Sequence, residues 1–192
     1  KTLNNIAATG LAKLPEENFI IDNNARVDGA SSIERCFVGE NSVVGNGFTA
    51  VDTLMFANCH FENGEAASVF AGPFTVSHHK SSLLIAGIFS FFNAGSGTNQ
   101  SNHLFKSGAV HQSVHLRGSK FGSSAYVMSP AIEGPYTVIL GRHTRHHDTQ
   151  DMPYSYLIEE GGQSVLMPGL SLRSYGTVRD IEKWKARDKR SL

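Results

Sequence analysis

The sequence has few cysteines, few charged residues and no long apolar segment, and each shortage excludes a class of protein. Two cysteines in 192 residues cannot form a disulfide scaffold, so we expect buried thiols in a reducing compartment. Charged residues make up 18 % of the chain and cancel to a net charge of zero, which argues against nucleic-acid binding because phosphate contacts need a positive surface. The longest nearly apolar run, from Leu83 to Phe92, is half of the roughly 20 residues that a membrane span needs. We therefore expect a globular chain that has neither a nucleic acid nor a membrane as its partner.

The sequence does contain a repeat with a period of about six residues. Branched apolar residues mark it at Val27, Ile33, Val38 and Val44, and the segments 70–75, 110–115, 121–126 and 132–137 repeat it, with Leu140 and Gly141 closing the series. This period suits neither a long strand nor a helix, but it does suit a very short strand followed by a corner, repeated as a coil. A β-sandwich with glycine-rich turns is the alternative, but its strands alternate over about 5–6 residues and recur every 8–12. The pattern therefore favours an all-β solenoid in which the repeated apolar residue points into a narrow prism.

Composition divides the chain into three parts. Residues 1–24 are weakly patterned and form an N-terminal extension, residues 25–152 carry the repeat, and residues 153–192 form C-terminal strands and a helix. The turn at Gly161 and Gly162 predicts a short hairpin, and a helix is expected from Thr177. Because terminal coils of a solenoid need capping, we expect this helix to cover the open end.

Two segments depart from the repeat. The run 83–92 predicts a strand that is buried on both sides. The polar, glycine-rich stretch 93–102 predicts a loop thrown out from a coil, and such loops often carry function.

The hexads 38–43 and 44–49 resemble the hexapeptide-repeat family of left-handed parallel β-helices, with Phe48 as a departure at the fifth position of the second hexad. The resemblance covers about residues 25–141, with gaps. The stretch from 59–65 through 141–149 to 154–158 is also similar to an uncharacterised bacterial family described as related to UDP-N-acetylglucosamine pyrophosphorylase. Members of that family are longer than this chain, and the first residue here is Lys, so we expect a fragment of a longer protein.

The resemblance implies a fold and a set of activities. It implies a left-handed parallel β-helix with a C-terminal hairpin and capping helix, and a cytoplasmic homotrimer that transfers an acyl group to a sugar or sugar nucleotide, or binds one. Acyl-CoA would be the co-substrate, and no covalently bound cofactor is expected. A non-catalytic scaffold or regulatory solenoid within a longer protein is the alternative. Nothing in the chain resembles the pyrophosphorylase catalytic domain.

Nine histidines supply candidates for acid–base chemistry, because imidazole titrates near neutral pH. His79 and His111 are the predicted catalytic bases; His111 follows Val110 and should face outward, toward solvent or a neighbouring subunit. The arginines near residue 142 offer forked donors to a phosphate, and Asp148 could orient a histidine. The predicted substrate-binding residues are His103, Asn99, Asn102, Arg117, Lys120, Arg142, His143, Arg145, His146 and Asp148.

A zinc site is a further alternative. His79, His111 and His115 have a long-then-short spacing that resembles the zinc carbonic anhydrases among hexapeptide-repeat proteins, although the short gap here is one residue shorter. Three imidazoles and an open water position would supply that chemistry. The match is imperfect, so no residue is assigned to a metal.

Overall fold

The chain winds into a stack of coils, and each coil passes through three sheets in succession. The computed structural model describes residues 7–9, 19–101, 112–173 and 175–190. Within them, each complete coil gives one strand to each sheet. Sheet A contains β1 (Ala7–Thr9), β3 (Arg26–Asp28), β6 (Val43–Gly45), β9 (His60–Glu62), β12 (Val76–Ser77), β15 (Asn93–Ala94), β18 (Lys120–Phe121), β21 (Val138–Leu140), β24 (Tyr156–Glu160) and β25 (Gln163–Met167). Sheet B contains β4 (Ser32–Glu34), β7 (Thr49–Val51), β10 (Glu65–Ala67), β13 (Leu83–Ile85), β16 (Asn99–Ser101), β19 (Tyr126–Met128) and β22 (Arg142–His143). Sheet C contains β2 (Phe19–Ile21), β5 (Cys36–Val38), β8 (Leu54–Met55), β11 (Phe70–Ala71), β14 (Gly87–Phe89), β17 (Ser113–His115), β20 (Ala131–Glu133) and β23 (His147–Thr149).

Parallel pairing between equivalent strands of successive coils confirms the predicted solenoid. Val27 pairs with Val44, and Ile33 pairs with Ala50, so one coil takes 17 residues, close to three beats of six. The predicted inward residues Val27, Ile33, Val38 and Val44 are all fully buried. Stacking these positions builds one continuous apolar core although every strand before the C-terminal hairpin is only two or three residues long.

In several later coils, the apolar residue of the predicted repeat faces outward and not into the prism. Phe70 and Ile132 belong to the predicted beat, yet both face outward, and the inward residues of their strands are Ala71 and Glu133. Leu140 is also exposed, and Ile139 is the buried residue of that strand. A shift of one residue moves a strand's side chains to the opposite face, so a one-residue irregularity in the repeat exchanges the predicted inward and outward residues of that strand.

The run 83–92 is not one strand buried on both sides. It forms β13 and β14, which are separated by a corner at Ala86, whose φ is +52°. Leu84 and Phe89 point inward, whereas Leu83 and Ile88 are half-buried on the outside. The run is continuous in sequence because apolar residues occupy both inward and outward positions.

The stretch 93–102 is not a loop over its described part, because residues 93–101 contain β15 and β16. Ala94, Thr98 and Gln100 are buried there. The Gln100 amide donates 3.1 Å to the Ser129 hydroxyl inside the prism. Polar composition was misleading because the interior of these coils holds hydrogen-bonded polar side chains.

The hairpin forms where its turn residues predicted it, whereas the helix that follows has a different position from that expected. Strands β24 and β25 are antiparallel, and Leu166 of β25 packs against the core, so the hairpin covers the last coil. A 3-10 turn (Leu170–Arg173) leads to helix α1 (Tyr175–Arg187). This helix does not cap the open end. It runs along the outer face of sheet A toward the earlier coils, with Asp180 beside Lys120 and the following Asp188 beside Asn58. The apolar face of α1 packs against the side of the prism, because the hairpin already covers the end of the prism.

Strands β1 and β2, which precede residue 25, pair in parallel with β3 and β5 of the solenoid. Both cysteines, Cys36 and Cys59, are free and buried, as expected. None of the helices in the described ranges has the length and apolarity that a bilayer-crossing helix requires.

Candidate functional site

A cavity of about 300 Å³ lies between α1 and the outer face of sheet A. We call it the α1 groove. Its floor is built from outward residues of successive parallel strands, which stand in register one above the next. These floor residues are Val76, Asn93, Lys120, Val138 and Tyr156. The coil therefore brings residues together that are far apart in sequence.

Aromatic rings form one wall of the α1 groove. Phe74 and Phe91 stack with their centroids 4.8 Å apart, and Trp184 of α1 meets each ring edge-on at 6.3 Å. Ile181 and Trp184 are three positions apart, so they lie on one face of the helix and both line the groove. A planar ligand would find apolar faces here on both the helix side and the sheet side.

The charge of the lining is positive although the chain as a whole has no net charge. Four cationic side chains line the groove, namely Lys120, Arg179, Lys183 and Arg187, against the single carboxylate of Asp180. Lys120 lies 3.1 Å from Asp180, and Arg179 lies 3.2 Å from the same carboxylate. Lys183 has no carboxylate partner among the residues that the structure describes. The groove is therefore suited to an anion.

A second polar cluster lies inside the prism, where His115, Glu133 and His147 follow one another along sheet C. The Glu133 carboxylate is fully buried and accepts hydrogen bonds from Nδ1 of His115 and from Nε2 of His147, the latter at 2.7 Å. Burial alone raises the pKa of Glu133, but attraction to His115 and the two hydrogen bonds outweigh it and lower the pKa to about 2. Burial lowers the pKa of His147, and the bond to Glu133 reverses that effect and raises it above the ordinary value.

Packing encloses this cluster. The His115 ring stacks on Phe89 and Phe92 at 5.1 and 5.6 Å and meets Phe121 edge-on at 4.8 Å. His115 Nε2 is buried and has no hydrogen-bond partner among the described residues. An imidazole sealed among phenyl rings cannot meet a substrate, so the cluster acts on the stability of the fold.

His143 also lies inside the prism. Its Nδ1 is 2.7 Å from the Ser164 hydroxyl, and its Nε2 is 3.2 Å from the carbonyl oxygen of Leu140. Burial, helped by the nearby His147, lowers the pKa of His143 below its ordinary value. Sequence reasoning placed His143 with the substrate-binding residues, but the ring is fully buried and bound to the hairpin.

The predicted base His79 is exposed in the turn between β12 and β13. Its ring meets that of His78 edge-on at 4.4 Å, and His78 lies 5.3 Å from the ring of His60. Partial burial, together with the neighbouring His79 and His60, lowers the pKa of His78. His60 pairs in register with Val76 of the groove floor, so the three histidines stand at one end of the α1 groove.

Three of the predicted arginines and lysines take part in side-chain packing. Lys120 is in the floor of the α1 groove, and Arg117 lies 3.5 Å over the ring of Phe91 beside that groove. Arg142 is elsewhere, 4.7 Å over the ring of Tyr126 on sheet B. The structure thus brings Lys120 and Arg117 toward the same site and leaves Arg142 apart.

The other predicted binding residues that the structure describes do not converge on that site. Asn99 is half-buried on sheet B, and its Oδ1 has no partner within the described part of the chain. Arg145 and His146 are exposed, and His146 Nδ1 lies 3.2 Å from the carbonyl oxygen of Pro130.

Asp148 is exposed and accepts a hydrogen bond from the backbone N–H of Gln150 at 3.1 Å, so it caps a turn. No hydrogen bond joins it to a histidine in the described part of the chain. Asn102, His103 and His111 lie outside the described residues, and their roles stay predictions.

The histidines of the zinc alternative are not on one surface. His79 is exposed on the outside, whereas His115 is enclosed inside the prism and bonded to Glu133, so the two cannot ligate one ion. In the described ranges there is no group of three or more His, Cys, Asp or Glu side chains arranged to hold a metal.

Sequence reasoning missed two residues that matter. Trp184 was not among the predicted site residues, although its spacing of three residues from Ile181 on the predicted helix could have placed it against the solenoid. Glu133 follows an apolar residue of the repeat and gave no signal of burial.

Comparison with known proteins places the chain in a family but gives no activity. No match was found among curated proteins. A family model described as "Domain of unknown function (DUF4954)" matches residues 9–192, which is nearly the whole chain. The chain, a β-solenoid with a positive groove under its C-terminal helix, therefore belongs to the DUF4954 family.

Proposed function

We propose that the α1 groove binds a phosphorylated sugar or nucleoside, such as one half of a sugar nucleotide. The observation that carries this proposal is the excess of four cations over one carboxylate in an aromatic-walled cavity of a chain with no net charge. Phosphate oxygens accept charge-assisted hydrogen bonds from lysine and arginine, which are stronger than neutral ones. Lys183 and Arg187 are available to them, because neither forms an ion pair with a carboxylate in the described residues, whereas Lys120 and Arg179 both contact Asp180.

The aromatic wall suits the rest of such a ligand. A base or the apolar face of a sugar ring would lie against Trp184, Phe74 or Phe91. The cavity of about 300 Å³ is at the lower end of the range for ligand pockets, which extends from roughly 300 to 1,000 Å³. It therefore fits a nucleoside phosphate or a sugar phosphate better than a complete sugar nucleotide. The resemblance to proteins described as related to UDP-N-acetylglucosamine pyrophosphorylase makes that nucleotide sugar the first probe.

Trp184 makes the proposal directly testable, because it is the chain's single tryptophan. Titration with UDP-N-acetylglucosamine, UMP and N-acetylglucosamine 1-phosphate should give a saturable change in tryptophan fluorescence with at least one of them. Loss of one charge-assisted hydrogen bond is worth about 1.5–3 kcal/mol, so Lys183→Ala should weaken binding by at least about tenfold.

Lys185 provides a matched control on the same helix, since it is exposed and does not line the groove. Lys185→Ala should bind as the unaltered protein does. The proposal fails if no probe changes the fluorescence, or if the Lys183 and Lys185 variants bind equally well.

Acyl transfer to the bound ligand is a second proposal, favoured by the histidines at one end of the groove. His79 is exposed there and would take the proton of an acceptor hydroxyl, whose oxygen bonds to the acetyl carbon of acetyl-CoA as the carbon–sulfur bond breaks. The same imidazole would then give that proton to the departing CoA thiolate. This second proposal also includes a homotrimer and a cytoplasmic location, both of which the hexapeptide-repeat resemblance implies. No residue that lines the groove within the described ranges is a histidine, so binding alone ranks first.

Release of CoA thiol in the presence of a groove ligand measures this step. Activity that His79→Ala reduces at least tenfold, with fluorescence binding unchanged, would support acyl transfer. Binding without thiol release would refute transfer and leave the binding proposal standing.

A further inference from the structure

The four cations of the α1 groove differ in whether a carboxylate already offsets their charge. Lys120 and Arg179 lie 3.1 Å and 3.2 Å from the Asp180 carboxylate. Lys183 and Arg187 form no ion pair with a carboxylate in the described ranges. These two residues are four positions apart on α1, so their side chains are neighbours on one face of the helix. The uncompensated positive charge of the groove is therefore concentrated near the C-terminal end of α1.

Three histidines stand together beside the floor of the groove. His60 pairs in register with Val76 of that floor, and His78 directly follows β12, the strand that contains Val76. The His78 ring lies 5.3 Å from the ring of His60 and 4.4 Å from the ring of His79. We call these three residues the histidine cluster. Imidazole gains its charge near neutral pH, so the charge of the cluster depends on pH.

Arg187 joins the histidine cluster to the groove. It is one of the lining residues, and its charge is close enough to oppose a proton on His78. Burial lowers the pKa of His78, and His79, His60 and Arg187 lower it further, against the attraction of Glu62. His78 is therefore mostly neutral at pH 7 in the free protein, and an anion placed beside it would favour its charged form.

The carboxylates near this end of the groove are engaged by other groups. Glu62 Oε1 lies 3.1 Å from His60 Nε2. Asp188, the residue after α1, accepts hydrogen bonds from Asn58 at 3.0 Å and from Arg190 at 2.8 Å. Neither carboxylate forms an ion pair with a cation that lines the groove. A ligand anion would meet positive charge at this end without displacing a carboxylate.

We infer that a phosphate dianion binds at this end of the α1 groove, held by Lys183 and Arg187, with the His78 imidazole protonated beside it. This inference rests on the proposed function, and it adds the position, the charge and the protonation state of the site. A phosphate monoester loses its second proton near about pH 6, so it carries almost two negative charges at pH 7. Three cationic groups around one phosphate favour that doubly charged form. The ligand class is therefore a nucleoside monophosphate or a sugar phosphate.

Protonation of His78 and binding of the phosphate should favour each other. The dianion raises the pKa of His78, so the complex holds more protons than the free protein does. Affinity therefore increases as the pH falls from about 8 toward the pKa of His78 in the complex, and that gain is lost as the pH rises above it. The monoester keeps most of its charge down to about pH 6, so the ligand does not cancel this effect at higher pH.

Fluorescence titration of Trp184 with UMP at pH 8 and at pH 6.5 tests the inference. The unaltered protein should bind UMP at least about threefold more tightly at pH 6.5, because the complex takes up a proton. His78→Gln keeps a polar side chain that cannot titrate in this range, and it should bind UMP about equally at the two pH values. Both proteins meet the same ligand, so the difference between their pH profiles reports His78 and not the phosphate.

His146→Gln is the matched control, because His146 is exposed, does not line the groove and lies beside the carbonyl oxygen of Pro130. This variant should keep the full pH dependence. Circular dichroism and a thermal melt establish that each variant folds. Isothermal titration calorimetry of the unaltered protein in two buffers of different ionisation enthalpy needs no variant, and it should show a net uptake of protons when UMP binds at pH 7.

The outcomes separate this inference from the proposed function. UMP binding that takes up no protons, or a pH dependence that His78→Gln fully retains, would overturn the inference and leave binding in the groove standing. Absence of UMP binding at both pH values, together with absence of binding by the other probes, would overturn the proposed function and the inference with it. Proton uptake that His78→Gln removes and His146→Gln retains would support the inference.

Discussion

Removing the buried charge of Glu133 should destabilise the fold strongly, because two histidines depend on it. Its carboxylate accepts hydrogen bonds from His115 and from His147 and is itself fully buried. Glu133→Ala leaves both imidazoles without their acceptor, and breaking a buried ion pair in this way costs about 3–5 kcal/mol. Glu133→Gln keeps the shape but can accept from only one histidine, so we expect a loss of about 2 kcal/mol. Urea unfolding followed by circular dichroism measures both losses.

The pH dependence of stability gives the same test a second readout. The pKa of Glu133 is lowered from 4.5 to about 2 in the fold, so its contribution is complete above pH 4.5 and is lost as the pH falls toward 2. The pKa of His147 is raised above 6.5, so its contribution is complete below pH 6.5 and is lost as the pH rises through the folded value. Glu133→Gln should reduce both slopes of the stability–pH curve.

Glu65 is the matched control for this experiment, since it is an exposed glutamate on sheet B. Glu65→Gln should change the free energy of unfolding by less than about 0.5 kcal/mol. If Glu133→Gln were as mild as Glu65→Gln, or if its stability–pH curve kept both slopes, the conclusion that His115 and His147 stabilise the charged Glu133 carboxylate would be wrong.

Two further predictions concern the interior of the coils. Gly87→Ala should lower the free energy of unfolding by at least about 2 kcal/mol, because a Cβ there would lie 2.1 Å from the ring of Phe89 and 2.6 Å from the Gln100 amide oxygen. Urea titration measures this loss, and a loss below about 0.5 kcal/mol would show that these neighbours can move aside. Burial raises the pKa of the Cys59 thiol to about 12, so iodoacetamide at pH 8 should leave Cys59 unmodified in the folded protein and modify it in urea. Mass spectrometry measures the modification, and equal rates in the two states would contradict the burial of this thiol.

The solenoid was predictable where the repeat is regular. Val27, Ile33, Val38 and Val44 were predicted to face inward, and all four are fully buried. This is a local property, because each coil demands one inward residue about every six positions. The hairpin near Gly161 was predictable for the same reason, since its turn residues lie next to one another.

The candidate site was predictable only in part. Lys120 was among the predicted binding residues and lines the α1 groove, but Asp180, which pairs with it, is 60 positions away. Of the two histidines predicted as catalytic bases, His79 is exposed and His111 lies outside the described residues, so their joint role stays a prediction. Whether two distant side chains meet depends on the number of residues in every coil between them, and composition does not reveal that number.

The sequence by itself determined that the chain coils, since the spacing of its small apolar residues leaves few other ways to bury them. Only the tertiary structure decided which face each later residue takes. Phe70 and Ile132 look like core residues and lie outside, whereas Glu133 looks like a surface residue and is buried. The physical reason is that side chains alternate between the two faces of a strand, so one residue gained or lost at a corner exchanges inside and outside for the strand that follows.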